Sequence, residues 1–167
     1  RDTAIKSLRP EFEKHPQNRA RFLREARIQG QLDHPCVVPV YDIDMGEGAL
    51  PSFSMRYVRG ESLADVIDRL GLGDDETERR YSTRRLLTAF SSVCGVAHFA
   101  HARGVLHRDL KPENVMLGEY GEVYVLDWGV AVAGEDSPFK ATDPEIECRT
   151  ERGQVLGTPG FIAPEAW

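Results

Sequence analysis

The stretch His107-Arg108-Asp109-Leu110-Lys111-Pro112-Glu113-Asn114 constrains this chain more than any other. It follows a segment that reads as a long helix, from about Ser82 to Arg103 with Gly104 as its stop. It precedes the run VMLGEYGEVYVL (115–126), which reads as a hairpin with its turn at GEYG. Five ionisable side chains and an amide within eight positions cannot simply enter an apolar interior, because buried charge needs a partner.

The remaining segments supply the framework for that loop. Residues 3–8 (TAIKSL) alternate so that Ala4, Lys6 and Leu8 share one face of a strand, which puts a lysine among apolar neighbours. Residues 17–32 read as a helix with Phe22, Glu25, Ile28 and Leu32 along one stripe, so Glu25 is an acid on the inward side. The runs at 37–43 and 52–58 are two short apolar strands around the turn-rich DMGEGALP. SLADVIDRL begins a second helix at a serine cap, Ser62. Residues 130–156 hold Gly, Pro, Ser and many charges without a period, which predicts a long mobile loop.

Composition narrows the partners. A hydrophobic fraction of 41% suits one globular unit, and 27 acidic against 21 basic residues, a net charge of −6, argue against nucleic-acid binding. Arg19, Arg21, Arg24 and Arg27 read as the solvated face of one helix. Cys36, Cys94 and Cys148 are widely spaced and odd in number, which predicts reduced thiols and a cytoplasmic setting. The most apolar stretch, 86–102, is interrupted by Ser91, Ser92, His98 and His101, so no membrane contact is expected of this segment.

With its helix before and hairpin after, HRDLKPEN resembles the catalytic loop of the protein kinase family. The match implies that Asp109 orients the attacking hydroxyl and accepts its proton, and that Asn114 is a metal ligand. It also implies that Lys111 steadies the γ-phosphate, and this lysine resembles the serine/threonine branch. Asp127-Trp128-Gly129, thirteen positions beyond Asn114, resembles the family's second metal motif, so Asp127 is the other ligand. Tryptophan is a departure from the usual Phe, and its indole N–H needs a partner if buried. TAIK and FLREARI resemble the strand and helix whose lysine and glutamate pair, here Lys6 and Glu25, nineteen residues apart.

Gly157-Thr158-Pro159-Gly160-Phe161-Ile162-Ala163-Pro164-Glu165 resembles the end of a kinase activation segment (127–165), with Thr158 beside Asp109 and Lys111. The stretch around PFKATDPEIE reads as an insertion. Arg108 resembles the arginine of kinases switched on by loop phosphorylation, with Thr150 and then Thr142 as candidate sites and self-association as the route. Met55 is expected behind the adenine, Arg56, Tyr57 and Val58 as the hinge, Ala4 and Met116 above and below the ring, and Glu61 at the ribose. Ordinary core packing would use the same apolar residues.

The resemblance implies a two-lobed α+β fold, truncated at both ends: a partial small lobe over 1–58, and over 59–167 the hinge exit and a partial large lobe. The expected activity is transfer of the ATP γ-phosphate to Ser/Thr hydroxyls of protein substrates, with Mg²⁺, or Mn²⁺ in its place. The fragment by itself is expected to be inactive.

Overall fold

The computed structural model of the chain describes residues 2–13, 15–46, 49–133 and 157–164. Strands β1 (Thr3–Ser7), β2 (Val40–Asp44) and β3 (Ser52–Arg56) form an antiparallel sheet in the order β1-β3-β2. Period-two geometry sorts the side chains of β1: Ile5 is 71% exposed, Ala4 and Lys6 are half-buried, and Leu8 just beyond the strand is buried. Helix α1 (Pro16–Gln31) lies against this sheet and packs Phe22, Leu23 and Ala26 on Leu8 and Phe53. Glu25 and Gln29, one turn apart, lie on the same buried face.

The chain then crosses to a second body. Val37 bridges in parallel to Val125, whose N–H donates to the Cys36 carbonyl at 2.8 Å. Beyond β3 come β4 (Glu61–Ser62), α2 (Leu63–Gly71), α3 (Asp75–Arg80) and α4 (Thr83–His101). Next are β5 (Val105–Leu106), β6 (Val115–Leu117), β7 (Val123–Val125) and β8 (Val132–Ala133). β4, β6 and β7 form one small sheet, and β5 pairs with β8. The largest core joins both bodies, since Ile28 of α1 and Leu32 just beyond it cluster with Val96 and Ala100 of α4, Val125 of β7 and Trp128.

Strands, helices and hairpin fall where the sequence puts them, with three corrections. The loop expected from 130 begins instead with strand β8, and its residues 134–156 lie outside the described residues. α3 and the two-residue strands β4, β5 and β8 were not expected: elements this short carry no period, and long-range pairing creates them. The first apolar run, 37–43, enters the sheet only at Val40, because Val37 is taken by Val125. Among the described residues no helix is long and apolar enough to cross a membrane.

Candidate active site

The loop between β5 and β6 is pinned from below by His107, which is 3% exposed. Its Nε2 lies 3.0 Å from the Leu126 carbonyl, and its Nδ1 accepts from the Asp109 N–H at 3.3 Å. A carbonyl only accepts, so Nε2 carries the proton, and burial lowers the imidazole pKa and keeps the ring neutral. Arg108 follows at φ 66°, a left-handed turn that swings the chain from β5 toward the cleft. The short 3-10 turn Pro112–Asn114 then brings Asn114 back, and its Nδ2 donates to the Asp109 carbonyl at 2.9 Å. That bond leaves the amide oxygen of Asn114 as an acceptor for another group.

Asp109 is the hub. Its Oδ1 accepts from the Thr158 N–H at 3.0 Å and from Thr158 Oγ1 at 2.6 Å, while Lys111 Nζ lies 3.0 Å from Oδ2. Lys111 also donates to Thr158 Oγ1 at 2.6 Å, so acid, base and hydroxyl form a closed triangle. Burial pushes the Asp109 pKa up, but the hydrogen bonds from Thr158 and Lys111 together outweigh it and hold the carboxyl below its ordinary 3.8. Gly157 makes this approach feasible. It has φ 134°, and a Cβ there would sit 2.9 Å from the Arg108 carbonyl.

A second cluster joins β1, α1 and the turn after β7. Lys6 Nζ lies 2.5 Å from Glu25 Oε1 and 3.6 Å from Asp127 Oδ1, so one ammonium bridges two acids from different elements. Burial raises the Glu25 pKa more than the Lys6 ammonium lowers it. Asp127 takes the left-handed conformation at φ 57°, which turns its half-exposed carboxylate back on itself, and the Gly129 N–H approaches Oδ1 at 3.4 Å. A Cβ at Gly129 would meet Asp127 Oδ1 at 3.0 Å and Glu25 Oε2 at 3.1 Å, so a side chain would press on both acids. Trp128 is 1% exposed and tilts against His107 with ring centroids 4.6 Å apart. Its Nε1 has no hydrogen-bond partner among the described residues.

These distances bring six separated motif residues into two clusters. The family described as "Protein kinase domain" matches residues 1–167. The chain belongs to the protein kinase domain family. It is similar to "Serine/threonine-protein kinase PknD" of Protochlamydia amoebophila, 38% identical over 99% of this chain and 18% of that protein. It also resembles proteins of the same name from Chlamydia muridarum, 35% identical, and Chlamydia pneumoniae, 37% identical, each over 99% of this chain and 19% of the relative. The chain thus spans under a fifth of the length of these relatives.

The other kinase positions read from the sequence fare unevenly. Ala4 stands opposite Met55 across β1 and β3, and Arg56 ends β3. Tyr57 donates its N–H to the Asp2 carbonyl at 3.4 Å, while Val58 makes no backbone hydrogen bond among the described residues. Met116 is half-buried on β6. Glu61 pairs with Arg69, lies 3.1 Å from Arg80 and accepts from Tyr81 Oη at 2.7 Å. Charge neutralisation beneath α2 and α3 explains its placement. Thr142, Thr150 and Glu165 lie outside the described residues.

Two residues at the site escaped the sequence reading. Gln29 is buried, and its Nε2 donates to the Val38 carbonyl at 2.9 Å with Met55 Sδ at 3.8 Å. Arg21, assigned to a solvated face, donates from Nε to the Gly129 carbonyl at 2.8 Å. Gln29 was findable, because it lies one turn after Glu25 on the same buried helical face.

Proposed function

We propose that this chain is the catalytic segment of an ATP-dependent serine/threonine protein kinase. In this reading residues 1–58 belong to a small lobe and 59–167 to the hinge exit and a large lobe. The observation that carries it is the Asp109 carboxylate held by Thr158 and Lys111, with Asn114 behind it and the Lys6–Glu25 pair across the cleft. In transfer, the substrate hydroxyl oxygen bonds to the γ-phosphorus as the bridging bond to the β-phosphate breaks and ADP departs. Asp109 orients that hydroxyl and receives its proton, and its lowered pKa keeps it ionised and ready as an acceptor. Lys111 and Lys6 supply positive charge toward the phosphates.

The donor set suits Mg²⁺, with Mn²⁺ as an alternative of similar chemistry. Asp127 offers a carboxylate, Asn114 offers its amide oxygen, and such a cation takes its remaining oxygens from phosphate and water. Its chemistry there is neutralisation of phosphate charge. The backbone at Arg56 and Val58 would bind the base, with Tyr57 between them and with Ala4, Met55 and Met116 around the ring. The free thiols of Cys36 and Cys94 fit a cytoplasmic setting. Thr150 and then Thr142 remain our candidates for autophosphorylation by a second copy.

Asp109→Asn in the full-length protein tests this reading. Turnover on Ser/Thr protein substrates should fall by about 10²–10⁴-fold, with nucleotide affinity within about twofold of wild type. Wild-type turnover in that variant would reject it.

A further inference from the structure

We propose that Arg21 is a positioning residue for the carboxylate of Asp127, acting through the Gly129 carbonyl. The inference rests on the reading of Asp127 as a metal ligand. Nothing in the amino-acid pattern fixes that carboxylate by burial, since the Asp127 side chain is 51% exposed. Its orientation depends on a left-handed backbone turn and on two neighbours, Lys6 Nζ at 3.6 Å and the Gly129 N–H at 3.4 Å. Left-handed aspartate is disfavoured in isolation, so the turn needs support from outside.

Arg21 gives that support. Gly129 is gripped on both sides: its N–H faces Asp127 Oδ1, and its C=O accepts from Arg21 Nε at 2.8 Å across 108 residues of sequence. Lys6, the other neighbour of Asp127, is itself held by Glu25. Arg21 and Glu25 lie one turn apart on α1, so this helix reaches Asp127 by two arms, one through Lys6 and one through Gly129. A displacement of α1 would therefore release the metal-binding turn and the lysine together. The contact is also charge-assisted, which favours it over a neutral donor at the same place.

The test is calorimetric titration of Mg²⁺ with a non-hydrolysable ATP analogue on the full-length protein, beside thermal melts. In Arg21→Ala the Mg²⁺ concentration for half-maximal binding should rise by about three- to tenfold, the scale of one lost solvent-exposed hydrogen bond. Binding of the analogue without metal and the melting temperature should stay at wild type. Arg21→Lys should return to within about twofold, because a single N–H to a carbonyl does not need the guanidinium fork. Asp127→Asn separates this proposal from the reading beneath it. If that variant keeps its Mg²⁺ dependence, the metal assignment of Asp127 fails. If it loses the dependence while Arg21→Ala matches wild type, the role of Arg21 fails. Equal loss of affinity with and without Mg²⁺, together with a lower melting temperature, would make Arg21 merely structural and would also overturn the proposal.

Discussion

Glu25 is where the cost of burying a charge and the need for an ion pair oppose each other. Burial wins in part, and the carboxyl titrates above its ordinary 4.5. An acid raised in this way loses its charge as pH falls through the raised value, so acidification should open the Lys6 pair before Asp109, held below 3.8, loses its charge. The acid limb of kcat should therefore belong to Glu25. We expect Glu25→Gln to lower kcat by about 10²-fold and to flatten that limb, measured as a pH–rate profile; an unchanged limb would assign it elsewhere. At Asp127 asparagine is the cleaner probe than alanine, since it tolerates a φ of 57° and removes only the charge. Lys6, Glu25, Asp109, Lys111, Asn114 and Asp127 were legible in the sequence because each sits in a motif with fixed spacing. Arg21 was not, because an arginine on a helix also suits solvent, and only the fold brings Gly129 to it.

Helices of sufficient length announced themselves, and their caps did so as well. α1 and α4 carry an apolar stripe over several turns, and α2 begins at Ser62, whose Oγ accepts from the Asp65 N–H at 3.0 Å and donates to Asp65 Oδ2 at 2.6 Å. Removing that reciprocal cap with Ser62→Ala should cost about 1 kcal/mol of stability, read as a lower denaturant midpoint with kcat unchanged. A loss below a few tenths would mean that packing of Val66 alone fixes the helix start. α3 stayed invisible because DETERR has no apolar stripe at all; it forms where Asp74 caps it and Thr77 is buried. β5 and β8 were illegible for a related reason. Two residues have no period, and each strand exists only because the other lies beside it.

Across the molecule, the surfaces left open are as informative as the core. β1 lies at the edge of its sheet with Ile5 exposed, and α4 presents Leu87 and Phe90 at 62% and 64% exposure. An unpaired edge and two large apolar side chains favour association. We expect residues 1–167 by themselves to self-associate. Leu87→Lys with Phe90→Lys should raise the monomer fraction in sedimentation; a wild-type chain already monomeric would contradict this. The two-body arrangement could be anticipated from the motifs, whereas the shared interior could not, since it depends on Ile28, Val96 and Trp128 meeting from distant parts of the chain. That meeting has an optical consequence. Trp128 is one of two tryptophans, and it sits in an apolar interior with its Nε1 unpaired among the described residues. Its emission should therefore be blue-shifted while α1, α4 and β7 close around it, and should move to the red when water reaches the ring. Where a phenylalanine would be silent, this chain carries its own fluorescent gauge of whether the two bodies are shut.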